Sequence, residues 1–274
     1  MRIGIINDLG MAVESLRRVL LTDPAFSVAW IAKNGQEAVD RCAEDIPDLV
    51  LMDLMMPVMD GVEATRRIMR QSPCPILIVT ASVTGNSSKV FEAMGAGALD
   101  VVATPVLGSF GDPKGGEILL DKIRKIGRLS GMNTIRAKVA EPVVEEKAPA
   151  KTSKNKLVVI GCSTGGPNAL IQILSVLPKN FPVPIVVIQH MDEKFGEGLA
   201  GWMNNQISLT AKVMSDGEFP KPGEVLFPCT NYDAVLTRGM TLTYTKEPQA
   251  AFYHPSVDIF FNSVAQCWRG DGTA

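Results

Sequence analysis

Leu157-Val-Val-Ile-Gly-Cys-Ser163-Thr-Gly-Gly-Pro167 passes from an apolar, β-branched run into a glycine-rich turn, then into a helix-compatible stretch with proline near its start. Strand, sharp turn and helix in that order make one βα unit of an α/β fold. The stretch also contains Gly161-x-Ser163-x-Gly165, the spacing of a nucleophile elbow. Glycines on both sides of the serine allow a strained turn that leaves its hydroxyl exposed at the C-terminal end of the strand. The amide groups of the helix N-terminus then face whatever Ser163 attacks. The chemistry indicated is covalent acyl transfer.

A serine nucleophile needs a base, and the chain has two histidines. His190 ends the run Pro184-Ile-Val-Val-Ile-Gln-His190, so it sits at the C-terminal tip of a buried strand. Open parallel sheets gather their chemistry at such tips, and on neighbouring strands Ser163 and His190 come within hydrogen-bond reach. His254, in Tyr-His-Pro-Ser, lies in a turn-like segment with no strand behind it, so His190 is the expected base. Gly-x-Ser-x-Gly alone also occurs as a helix-initiating turn or a phosphate-contacting loop, a reading that the strand-end histidine weighs against.

Outward from this stretch, the first half of the chain repeats the same grammar. Strands are expected at 2–6, 27–31, 49–52, 75–80 and 99–103, with amphipathic helices at 10–22, 34–44, 61–71, 86–96 and 114–130. Such alternation predicts a doubly wound parallel sheet. Residues 128–156 lose apolar periodicity in favour of proline, alanine and mixed charge, which marks a linker between domains at 1–127 and 157–274. The second domain continues with strand 157–161, helix 167–177, strand 184–189, helix 196–207, a β-rich stretch and an amphipathic helix at 256–267.

A length of 274 residues suits two domains, and a net charge of −2 gives no electrostatic reason to expect nucleic acid. No apolar run reaches a membrane span, and no signal-peptide pattern precedes the first strand. The five cysteines have no metal-type spacing, so reduced thiols in a cytoplasmic protein are expected, with Cys162 in a packing role.

Asp8 follows strand one, Asp53 strand three, Thr80 ends strand four and Thr104-Pro105 ends strand five. All four positions meet at one edge of a parallel sheet. Asp8 and Asp53 there would hold a Mg²⁺ with the help of water, which leaves Asp53 able to attack phosphorus. The Thr80 hydroxyl and the Ala81 N–H are placed to contact phosphoryl oxygens. Asp60-Gly61 reads as a helix start rather than a ligand.

Leu49-Val-Leu-Met-Asp53-Leu-Met-Met-Pro57-Val-Met-Asp60-Gly61, with Val79-Thr80-Ala81 and Thr104-Pro105, resembles the phosphoacceptor region of two-component receiver domains. Ile160-Gly-Cys-Ser-Thr-Gly-Gly-Pro167, Gln189-His190-Met191 and His254-Pro-Ser-Val-Asp258 resemble the chemotaxis protein-glutamate methylesterases of the CheB family. Asn7-Asp8 and the missing receiver lysine bring the chain nearest the WspF-type branch, which serves a surface-sensing chemosensory pathway. The resemblance implies a flavodoxin-like receiver and a doubly wound parallel-sheet esterase. It implies hydrolysis of glutamyl methyl esters on the cytoplasmic helices of a methyl-accepting chemoreceptor, and in some members glutamine deamidation. It gives Ser163 and His190 as catalytic residues, amides around Thr164 and Gly165 as oxyanion donors, and Asp53 as the phosphoacceptor of a CheA-type histidine kinase. Asp8, Asp53 and Met55 are the implied Mg²⁺ ligands.

Three departures from the family pattern stand out. Asn7 replaces one of the paired acids, and Thr104 stands where receivers place a lysine that contacts the phosphoryl group. The family's triad aspartate belongs to a Gly-Met-Gly-x-Asp-Gly segment that the chain does not reach; Asp271 lacks an apolar strand leading into it, and Asp258 belongs to another segment. The expectation is therefore a C-terminally truncated esterase of reduced activity. The rival reading is a non-catalytic receiver that drains phosphoryl groups. A DNA-binding regulator is disfavoured, since the second half has neither a basic patch nor a helix-turn-helix pattern.

Overall fold

The computed structural model describes residues 1–81, 87–107, 113–114, 116–132, 156–190, 193–229, 232–245, 254–268 and 271–273. The chain divides into two compact units whose main bodies are Met1–Met132 and Ala169–Ala274. Residues 133–155, most of the expected linker, lie outside the described residues.

In the first unit the elements run β1 (Arg2–Ile6), α1 (Gly10–Leu21), β2 (Ser27–Ala32), α2 (Gly35–Glu44), β3 (Leu49–Met52), α3 (Gly61–Gln71), β4 (Ile76–Thr80), α4 (Ser87–Gly95) and β5 (Asp100–Ala103). A short antiparallel pair, β6 (Val106–Leu107) and β7 (Pro113–Lys114), precedes α5 (Gly116–Met132). The five main strands form a parallel sheet in the order β2-β1-β3-β4-β5, the flavodoxin-like winding. Every residue of β3 and β4 is buried, as strands covered on both faces require. Leu16, Val19 and Leu20 of α1 and Leu119, Ile123 and Ile126 of α5 pack with Ile3, Ile5, Leu49 and Leu51 on one face. Right-handed crossovers send α2, α3 and α4 to the other.

Capping sets where the helices begin. Asn34 accepts the Glu37 N–H at 2.9 Å at the start of α2, and Asp60 accepts the Glu63 N–H at 3.0 Å at the start of α3. On α3, Val62, Thr65 and Ile68 face inward, while Arg66 and Arg67 reach back to Glu63 at the surface. Asp60 is thus a helix start, as its sequence context predicts.

The second unit contains β8 (Lys156–Cys162), α6 (Gly166–Leu174), β9 (Ile185–Gln189), α7 (Glu193–Asn204), β10 (Thr210–Val213), β11 (Glu224–Phe227), β12 (Ala234–Leu236), β13 (Leu242–Tyr244), α8 (Val257–Cys267) and β14 (Asp271–Thr273). Five strands form a second parallel sheet, β10-β11-β9-β8-β14, and β12 pairs antiparallel with β13. One face of the sheet, through Leu157, Val159, Val186 and Ile188, packs with Phe260 of α8 and Leu236 and Leu242 of the hairpin. Leu170 and Leu174 of α6 and Leu199 and Met203 of α7 are buried as well.

Several boundaries differ from expectation, and one strand was not anticipated. α6 stops at Leu174, because Ser175–Leu177 turn ahead of Pro178, and a residue before proline is biased out of helical conformation. α7 begins at Glu193, three residues before the expected 196. Asp271, for which no strand was anticipated, opens β14 opposite Lys156 of β8. An edge strand pairs on one side through its backbone, so it needs no apolar run. Among the described residues no helix is long and apolar enough to cross a membrane.

Candidate functional site

β8 and β9 lie side by side and parallel, with Gly161 opposite Ile188 and Cys162 opposite Gln189. Both strands therefore end at the same sheet edge, and the next residue on each is Ser163 and His190, both partly buried. The His190 N–H donates to the Cys162 carbonyl at 2.9 Å, extending the ladder to the histidine itself. Adjacent tips of adjacent parallel strands are where an open α/β sheet assembles catalytic groups.

The turn after β8 departs from the expected elbow. Among the described residues, the non-glycine positions with positive φ are Val58 and Met240, so Ser163 does not take a left-handed conformation. The left-handed step falls at Gly165, with φ 81°. Gly161 serves packing instead: a Cβ there would stand 2.5 Å from Val257 Cγ1 of α8. Pro167 occupies the first turn of α6, where a missing N–H costs no intrahelical bond. Thr164 and Gly165, the oxyanion candidates, form the turn between Ser163 and that helix.

One side chain beside Ser163 escaped the sequence reading, and a second does more than the packing expected of it. Gln189, 5% exposed, donates from Nε2 to the Ser163 carbonyl at 3.0 Å and to the His190 carbonyl at 2.8 Å. The Cys162 thiol donates to Gln189 Oε1 at 3.0 Å. Burial pushes that thiol up to about 12, so it keeps its proton at neutral pH. Cys162 is thus a hydrogen-bond donor to the strand-end glutamine as well as a packing residue.

His254 lies close to Asp233, with Nδ1 and Oδ1 3.1 Å apart, and the Ser256 N–H donates to the same oxygen at 2.6 Å. Asp233 is fully buried beside β12, so this contact anchors the segment leading into α8. Asp258 is exposed in the first turn of α8.

In the first unit the tips of β1, β3, β4 and β5 bring Asn7, Asp8, Asp53, Thr80 and Thr104 to one edge. Asp53 N–H donates to the Ile6 carbonyl at 3.0 Å, and Thr104 N–H to the Thr80 carbonyl at 3.1 Å. Asn7 Nδ2 donates to Asp53 Oδ2 at 3.1 Å, and Leu54 N–H to Asp53 Oδ1 at 2.7 Å. Asp8 and Ala81 are exposed, whereas Thr80 is buried. Burial pushes the Asp53 carboxyl up to about 6, and the Asp8 charge adds a smaller push in the same direction. Among the described residues no group of three or more His, Cys, Asp or Glu could hold a metal ion. A cation at Asp53 would rest on the Asp53 and Asp8 carboxylates and water. That is a fitting donor set for Mg²⁺, which keeps much of its hydration, and an under-compensated buried carboxylate is what such a cation offsets.

Two family models match the chain: a response regulator receiver domain over residues 3–107 and a CheB methylesterase over residues 158–274. A protein-glutamate methylesterase/protein-glutamine glutaminase of Pseudomonas aeruginosa is 50% identical over 99% of this chain and 80% of its own length. One from Bordetella avium is 51% identical over 98% of this chain and 78% of its own. The crystal structure of the response regulator domain of Thermotoga maritima CheB is 28% identical, covers 47% of this chain and 96% of its own, and has a TM-score of 0.43.

Proposed function

The chain belongs to the CheB methylesterase family, with a receiver domain ahead of the esterase, and from that premise we propose that Ser163 is the nucleophile and His190 the general base of glutamyl methyl ester hydrolysis. It is a phosphorylation-regulated protein-glutamate methylesterase. The observation that carries the residue assignment is the parallel register of β8 and β9, which ends with the His190 N–H on the Cys162 carbonyl at 2.9 Å.

Ser163 Oγ attacks the ester carbonyl carbon while His190 takes the hydroxyl proton. Amides of the Thr164–Gly165 turn hold the oxyanion. As the carbon–oxygen bond to the methoxy group breaks, His190 returns the proton and methanol leaves. Water then attacks the acyl-serine, with His190 moving its proton to Ser163 Oγ, and a glutamate carboxylate is released. The substrate we propose is a methylated chemoreceptor in the cytoplasm. A receptor glutamine is a second substrate, with ammonia in place of methanol, as the relatives' names state for those proteins.

In the receiver, Asp53 accepts a phosphoryl group from a CheA-type histidine kinase, and Thr80 and the Ala81 N–H contact the phosphoryl oxygens. Asp8, Asp53 and Met55 would hold Mg²⁺, which would offset phosphoryl charge when bound. Domain limits of 1–127 and 157–274 with a linker at 128–156 belong to the same reading, with α5 extending into the linker as far as Met132.

Methanol release from methylated receptor tests it. Ser163→Ala and His190→Gln are each expected to abolish release, by about 10³-fold or more. Retained activity in either variant overturns the assignment.

A further inference from the structure

We propose that Gln189 is a positioning residue that holds the nucleophile and the base in register, an inference that rests on the esterase reading above. β9 is buried throughout, and its other residues are aliphatic. A polar side chain in that run is costly unless all its hydrogen bonds are made. Gln189 makes them with its site neighbours: one amide nitrogen spans the Ser163 and His190 carbonyls at 3.0 and 2.8 Å, and Oε1 takes the Cys162 thiol at 3.0 Å. Two protons go to two carbonyls and the oxygen goes to the one donor, so the amide has a single satisfying orientation. The two peptide units that carry Ser163 and His190 are therefore tied to one planar group. Releasing the tie lets the hydroxyl and the imidazole separate, and misplacement of about 1 Å costs about 100-fold in rate. A tie that acts only on the two strand tips is expected to affect the chemical step more than ground-state binding.

The experiment compares methanol release from methylated receptor by the wild-type chain, Gln189→Met and Ser163→Ala, with active sites counted by stoichiometric labelling with a sulfonyl fluoride. Methionine keeps the length of the side chain and removes both donors. The expected result is a fall in kcat per labelled site of about 10- to 100-fold, with KM within about twofold of wild type. A purely structural role would lower the number of labelled sites and the melting temperature and leave kcat per site intact, which overturns the proposal. So does a Gln189→Met protein as active as wild type. If Gln189→Met does not fold, Cys162→Ala, which frees the far side of the amide, is expected to lower kcat severalfold, with Cys162→Ser restoring it. Equal kcat in Cys162→Ala and Cys162→Ser overturns the proposal on that route. A wild-type chain that releases no more methanol than Ser163→Ala overturns the esterase reading itself, an outcome distinct from the loss of the Gln189 effect.

Discussion

At the scale of single residues, the receiver keeps two groups in unfavourable states for different reasons. Asp53 is 8% exposed, and burial pushes its carboxyl up to about 6, against about 3.9 for a free aspartate. Because the folded value lies above the unfolded one, the native state binds more protons between the two. Stability contributed at this site is therefore greatest at acid pH and falls as pH rises from about 4 to about 6, by at most about 3 kcal/mol. Above that window the ionised carboxylate is a constant burden, which Asp53→Asn removes. We expect Asp53→Asn to melt several degrees higher than wild type at pH 7.5 and at the same temperature near pH 4, with added Mg²⁺ narrowing the gap. Parallel melting curves across that range would sink the account. Val58 is strained through its backbone instead. Its φ is 69°, the flanking Met59 N–H donates to the Pro57 carbonyl at 2.8 Å, and the side chain is 86% exposed. This is a γ-turn of the strained hand, centred on a β-branched residue. Val58→Gly relieves the strain without opening a cavity, and denaturant unfolding should show a net gain of about 0.5–1 kcal/mol after glycine's entropy cost.

At the scale of elements, contact between α8 and β8 explains why position 161 must be glycine. A methyl group there meets Val257 Cγ1 at 2.5 Å and Phe261 Cε2 at 3.3 Å. Gly161→Ala should cost about 1–3 kcal/mol by overpacking, and Gly161→Ala with Val257→Ala should recover part of it. Additive losses in that double-mutant cycle would show that the two positions do not compete for space. The same contact marks the limit of what the sequence reveals. Buried strands such as Leu49–Met52 and Ile185–Gln189 read clearly as apolar runs, and Asp60 and Asn34 announce their helices through capping chemistry. The placement of Ser163, His190 and Asp53 at strand tips was legible because each follows directly on an apolar run. Gln189 was not, since a lone amide ending an apolar run has no signal until the register sets it against Cys162. Asp233 and His254 lie in segments without periodicity, and only folding brings them within 3.1 Å. The Gly-x-Ser-x-Gly spacing suggested strain at the serine, but a glycine two residues on absorbs it.

At the scale of the whole molecule, the proposed regulation requires that charge added at Asp53 alter methanol release by Ser163, and we expect Thr104 to limit how strongly it does so. A phosphoryl group on Asp53 would bring close to two negative charges to a sheet edge where Asp8 already stands, and position 104, where the resemblance to receivers implies a lysine, carries a neutral hydroxyl. On the proposed site assignment, Mg²⁺ and the Thr80 hydroxyl would then supply most of the differential interaction between the two states of the receiver. A ligand shifts a conformational equilibrium only by that difference. Stimulation by a small phosphodonor with Mg²⁺ should accordingly be present in wild type, absent in Asp53→Asn, and weak beside what a cation at position 104 permits. The Thr104 N–H on the Thr80 carbonyl fixes the backbone at the tips of β4 and β5, so Thr104→Lys starts its side chain from a defined point on the pocket edge. We expect Thr104→Lys to raise the ratio of stimulated to basal methanol release at least about fivefold, the lower end of ordinary allosteric coupling. An unchanged ratio, with Asp53 phosphorylated to the same extent in both proteins, would mean that transmission depends on the Mg²⁺ and Thr80 contacts alone and that the neutral residue at 104 is no handicap to this chain.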